Sequence, residues 1–151
     1  MSLKVTGGLL RGRVLRAPPG RGVRPTSGKV RESLFSILGA EVRGRAVLDL
    51  FAGVGTLGLE AASRGAGPVV FVEQDRDHGR VLRANAALLD DVCLWTLVQR
   101  DAIGALRALA GGPFGLVFLD PPYAAGLAAA ALKILAEGPL LTGDAVIVLE
   151  L

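Results

Sequence analysis

Short apolar runs alternate with amphipathic stretches along most of this chain. From Val47 onward the alternation predicts strands over Val47–Phe51, Pro68–Glu73, Cys93–Gln99, Phe114–Leu119 and Ala145–Leu151. Between them, helical periodicity covers Thr56–Arg64, closed by Gly65, then Asp77–Leu89, Ala102–Ala110 and Leu127–Glu137. Strand and helix in strict succession mean parallel strands with right-handed crossovers, and so an α/β fold with an open sheet. Upstream, Leu3–Thr6 and Arg13–Arg16 alternate about a glycine-rich turn and read as a two-stranded ribbon, followed by a stiff linker over Pro18–Gly22. Thr26 or Ser27 then caps a helix that places Val30, Leu34, Ile37 and Leu38 on one face and ends at Gly39. Lys29 and Arg31 fall off that face, free to meet phosphate.

Charge divides the same chain. Residues 1–45 hold ten Lys or Arg against two acids, and residues 46–151 hold seven against twelve. We therefore read 1–45 as a basic hairpin-plus-helix extension and 46–151 as an acidic catalytic body. Guanidinium groups pair bidentately with phosphate oxygens, so the arginines of the extension point to nucleic acid, with Arg11, Arg13, Arg24, Lys29 and Arg31 as the contact residues. The 51% hydrophobic content over 151 residues suffices for one full core. A lone cysteine, Cys93, excludes an intramolecular disulfide and fits a reducing cytoplasm. No apolar run reaches the roughly 18 residues of a membrane span, and nothing resembles a signal peptide. His78, the single histidine, sits beside acids and reads as a surface residue, and no cluster has metal-ligand spacing, so no metal is expected.

Open sheets bind ligands beyond the carboxyl ends of their strands. Acids fall there in turn: Asp49, Glu73, Asp101 and Asp120 end the first four predicted strands, with Asp101 also well placed to cap the following helix. After Asp49 come Gly53, Gly55 and Gly58, spaced as in a dinucleotide-binding turn, with Glu73 at the matching distance. Asp49 argues against a pyrophosphate, which favours bare backbone N–H groups with no carboxylate nearby. A cationic amino-acid moiety gains from that carboxylate, and S-adenosylmethionine carries such a moiety and no phosphate.

The fourth strand runs into Asp120-Pro121-Pro122-Tyr123. Two prolines break the strand and fix an extended loop. That loop offers two acceptors, the Asp120 carboxylate and the Pro121 carbonyl, beside an aromatic face. Such a set is suited to stacking a planar base while accepting hydrogen bonds from its exocyclic amino group. A base presented this way must leave any helix, so an unpaired or flipped nucleotide follows.

Asp49–Ala61, the Asp120–Tyr123 loop, and the upstream Arg24-Pro25-Thr26 with Val30–Phe35 together resemble the RsmD family of bacterial small-subunit ribosomal RNA guanine-N2 methyltransferases, over nearly the whole chain. The resemblance implies a class I methyltransferase fold and S-adenosyl-L-methionine as methyl donor. It implies that Glu73 accepts from the ribose hydroxyls and Asp101, with Ala102, meets the adenine. Asp49, Phe51, Gly53 and Gly55 would hold the methionine end, and Asp120, Pro121, Pro122 and Tyr123 would carry catalysis. In the family the 26–31 segment borders the cofactor pocket, so Thr26 and Arg31 touch either donor or RNA. Ribosomal RNA, free or within a small-subunit assembly, is the implied partner of a monomeric enzyme. Adenine-N6 methylation of DNA or RNA, and methylation of a protein amino group, remain the alternatives. The resemblance also implies two strands beyond the fifth, so we expect a natural protein longer by roughly thirty to forty residues.

Overall fold

A computed structural model describes residues 2–20, 26–122 and 126–150. Its centre is a five-stranded sheet of β1 (Val47–Asp49), β2 (Val69–Val72), β3 (Trp95–Val98), β4 (Phe114–Leu119) and β5 (Leu141–Leu149), in the order β3-β2-β1-β4-β5. Every pairing is parallel. The helices are α1 (Gly28–Leu38), α2 (Thr56–Ser63), α3 (Arg76–Ala86), α4 (Ala102–Ala108) and α5 (Leu127–Glu137). β1 and β4 lie at the middle of the sheet with every residue buried, as their unbroken apolar runs require when both faces are covered.

Two apolar layers flank the sheet. One packs Phe71, Phe118, Leu59 and Leu82 together, and the other packs Leu48, Val117, Leu119 and Leu135. The basic extension joins the first layer through Val5, Leu10, Leu15, Phe35 and Leu38. It holds there through backbone as well as side chains: the Leu9 N–H donates to the Ser63 carbonyl at 2.7 Å. Gly8 makes this approach possible, since it has φ +79° and a Cβ there would lie 2.0 Å from the Ser63 oxygen.

Several sequence expectations change. The N-terminal ribbon is one antiparallel bridge, Lys4 to Val14, with a few flanking hydrogen bonds; glycines and contacts to α2 take the rest of the backbone. α1 is rotated from the predicted face: Phe35 and Leu38 are buried, whereas Val30 and Ile37 are 52% and 84% exposed. Arg31 is the reason. It is 1% exposed, and its guanidinium turns inward to the Glu60 carboxylate on α2, so it does not meet phosphate. β5 begins at Leu141, ahead of the predicted Ala145, because an irregularity opposite Phe114–Leu116 lets the strand resume pairing. Its Val146, Ile147 and Val148 are half-buried, at the edge of the sheet among the described residues. No helix among the described residues is long and apolar enough to cross a membrane.

Candidate active site

Chain order reverses between β1 and β4: from β1 the sheet grows outward through β2 on one side and through β4 on the other. Such a switch point opens a crevice at the carboxyl ends of the two strands. A cleft of about 1110 Å³ lies there, lined by Asp49, Gly53, Glu73, Asp101, Asp120 and Pro121. The four strand-tip acids therefore converge on one space. Phe51, Ala102, Pro122 and Thr26 line it too.

Asp49 closes β1 at 2% exposure. Its Oδ2 accepts from the Gly58 N–H at 3.0 Å, which ties the strand tip to the first turn of α2. Burial pushes its pKa up to about 7, the Gly58 hydrogen bond pulls it down, and the charges of Asp120 and Glu73 raise it further. A buried carboxylate in this state gains from a cation placed beside it. Glu73, just past β2, splits its oxygens between two loops: Oε1 accepts from Gly53 N–H and Oε2 from Asp75 N–H, each at 2.8 Å. Gly53 has φ +58° and nothing within 4 Å of where a Cβ would stand, so its bare Cα faces the open cleft.

Gly55 is different. It has φ +90°, a Cβ on it would stand 3.1 Å from Leu82, and it does not line the cleft. It turns the backbone into α2, with the side of its Cα that would carry a Cβ facing the core. Asp101 caps α4, accepting from Gly104 N–H at 2.8 Å, and also lines the cleft. Asp75 caps α3 through His78 N–H.

Asp120 follows β4 at the mouth of the cleft. Burial raises its pKa to about 6, and the neighbouring Glu150 adds to the rise through charge and a side-chain hydrogen bond. Tyr123 and Arg24 lie outside the described residues. Arg11, Arg13 and Lys29 are exposed. Arg31 serves neither donor nor RNA: its N–H groups go to the Glu60 carboxylate at 3.2 Å, the Lys4 carbonyl at 2.8 Å and the Thr26 carbonyl at 3.2 Å. It thereby fixes the start of α1, whose Thr26, Ser27 and Val30 wall the cleft. Sequence reasoning misses Ser27, Val30 and Glu150. Glu150 is within reach of the strand-tip rule once that rule is extended from the fourth strand to the fifth.

The donor set fits S-adenosylmethionine. The polar part of the cleft is mostly carboxylate, beside an unhindered glycine backbone, with Arg100 the one arginine or lysine among the described residues lining it. A phosphate would be repelled there, whereas a sulfonium and an ammonium would be held and a ribose diol would find carboxylate acceptors. Fold and site together define a class I S-adenosylmethionine-dependent methyltransferase.

Comparison with known proteins narrows the class. Residues 3–151 match the family described as Conserved hypothetical protein 95, and the chain belongs to this, the RsmD family. It is 38% identical over 148 residues to Ribosomal RNA small subunit methyltransferase D of Escherichia coli strain K12, covering 98% of this chain and 74% of that protein. YlbH of Bacillus subtilis strain 168 is also 38% identical, over 150 residues, with 98% and 82% covered. The solved structure of Escherichia coli yhhF superposes with a TM-score of 0.84 at 34% identity, covering 97% of this chain and 79% of that one.

Proposed function

We propose that this protein transfers a methyl group from S-adenosylmethionine to the exocyclic N2 of a guanine in small-subunit ribosomal RNA. The observation that carries the reading is the position of Asp120-Pro121-Pro122, at the tip of β4, beside Asp49 and across the switch point from the glycine turn. The Escherichia coli relative named for small-subunit ribosomal RNA supports the substrate class. Guanine N2 rests on the family resemblance.

The exocyclic nitrogen is a weak nucleophile because its lone pair is delocalised into the ring. When its two protons are accepted by the Asp120 carboxylate and the Pro121 carbonyl, the nitrogen becomes pyramidal and its lone pair is aimed along one direction. Tyr123 stacks on the base. Asp49 and Gly53 would hold the methionine end of S-adenosylmethionine and Glu73 its ribose, and the donor would supply an electrophilic methyl, the S–C electron pair staying on sulfur as the N–C bond forms. The nitrogen then passes a proton, made acidic by the new bond, to the Asp120 carboxylate that already accepts it and from there to water, so positioning and electrostatics carry the rate without a strong base. Arg11, Arg13, Lys29 and Arg24 meet the RNA backbone, and the RNA substrate places the reaction in the cytoplasm.

Transfer of radiolabelled methyl to ribosomal RNA, followed by nucleoside analysis, tests the proposal. Label in N2-methylguanosine is the expected result. Label in N6-methyladenosine, or in protein, would overturn it.

A further inference from the structure

Asp120 and Glu150 leave the sheet side by side. β4 and β5 run parallel with Leu119 opposite Leu149, and the Glu150 N–H donates to the Leu119 carbonyl at 2.9 Å. The two residues that follow this last register pair both line the cleft, and Glu150 is near enough to raise the Asp120 pKa through charge and hydrogen bonding. Two carboxylates in such contact repel when both are ionised, and one proton between them turns the repulsion into a hydrogen bond. Resting on the reading of Asp120 as acceptor for the amino group, we propose that Glu150 is a positioning residue for methyl transfer. It holds the Asp120 carboxyl at the mouth of the cleft and sets the pH at which that carboxyl becomes free to accept from the substrate.

The physical logic is one of competition. While Asp120 keeps its proton, its carboxyl is occupied in donating to Glu150. Once the proton leaves, the substrate amino group can replace it as the donor that relieves the crowding, so arrival of the base is favoured by the same repulsion that strains the empty pair. Most of the other ionisable groups lining the cleft are acids, of the same sign as the pair. Asp49 approaches from β1, Glu73 and Asp75 from the segment after β2 and Asp101 from the start of α4, all acids. The first turn of α5 contributes only Gly126, Leu127 and Ala128, and the basic groups lining the cleft among the described residues are Arg100 and His78.

The experiment is a carbon-13 titration of aspartate carboxyl groups in the ligand-free protein, with Asp120→Asn used to assign the Asp120 signal. Wild-type Asp120 should titrate above the ordinary carboxylate range. In Glu150→Gln, which removes the like charge and offers an N–H donor, its midpoint should fall by roughly half a unit or more. The acid limb of kcat/KM for RNA should move down with it, while affinity for S-adenosylhomocysteine stays within about twofold. A midpoint and limb that do not move in folded Glu150→Gln would overturn the proposal. So would a wild-type Asp120 that titrates as an ordinary aspartate, a result independent of whether any variant folds. Failure of the underlying reading would look different: Asp120→Ala would still methylate RNA, whatever the carboxyl titration shows.

Discussion

The Arg31 guanidinium stands 3.2 Å from the Glu60 carboxylate with both side chains out of water, at 2% and 0% exposure. Glu60 is saturated: Oε1 also accepts from the Thr6 N–H and Oε2 from the Gly7 N–H, each at 2.9 Å, and Oε2 takes the Arg64 Nε at 3.0 Å. One carboxylate thus binds the N-terminal arm, α1 and α2 into a single unit. Glu60→Ala would leave a buried arginine and two backbone N–H groups without their acceptor, and should cost about 3–5 kcal/mol. Urea denaturation measures it, and a loss below about 1 kcal/mol would show that the network relaxes around the gap.

Asp120→Ala should abolish methyl transfer, with a fall of about 100-fold or more in kcat. Its affinity for S-adenosylhomocysteine, followed by thermal shift, should stay within a few fold, because Asp49, Glu73 and Gly53 are untouched. A variant that remains active on RNA would remove Asp120 from the reaction.

Glu73→Ala should weaken cofactor binding by about 1.5–3 kcal/mol, the scale of hydrogen bonds to a charged group. The effect has two sources. The carboxylate is the proposed acceptor for the ribose, and it also holds the Gly53 and Asp75 N–H groups that shape the cleft. Calorimetry with unchanged affinity would exclude both.

Asp49 gives stability a definite slope with pH. Its folded-state pKa, about 7, lies above the ordinary 3.8, so between those values the folded state holds a proton that the unfolded state has released. This contribution is complete below about pH 4 and is lost as pH rises through 7. Asp49→Asn should flatten the fall in stability of the ligand-free protein across that window. Binding of a cationic donor beside Asp49 should in turn release a proton near pH 6.5, seen by calorimetry as a dependence of the binding enthalpy on the buffer. A binding enthalpy independent of buffer would place the cation elsewhere.

RNA affinity should fall steeply with salt. Replacing Arg11, Arg13 and Lys29 by alanine should reduce the slope of log K against log salt by about 0.7–0.9 for each phosphate no longer neutralised, with cofactor binding unchanged. A flat salt response in the wild-type protein would mean that these exposed cations do not meet a polyanion.

Where local punctuation is strong, the sequence alone determines the outcome. β4 is legible to the residue because Pro113 and Pro121 bracket an apolar run, and α5 because Gly126 and Gly138 stand at its two ends. Strand–helix alternation yields the parallel sheet, and the strand-tip rule yields Asp49, Glu73, Asp101 and Asp120. Such features depend on neighbours a few residues apart, and the chain carries them openly.

Tertiary structure alone decides the rest. A helical wheel treats arginine as a solvated residue, so it sets Val30 and Ile37 inward and Arg31 outward. The true face of α1 follows from Glu60, an acid far along the chain, whose buried charge is tolerable only with a buried cation against it. The motif places Gly55 in the turn by its position, and only packing shows that a Cβ there would meet Leu82 and Phe71. Glu150 acquires a role only through the register that sets β5 beside β4. In each case the deciding energy is a contact between residues remote in sequence, and a pattern of neighbours does not encode it.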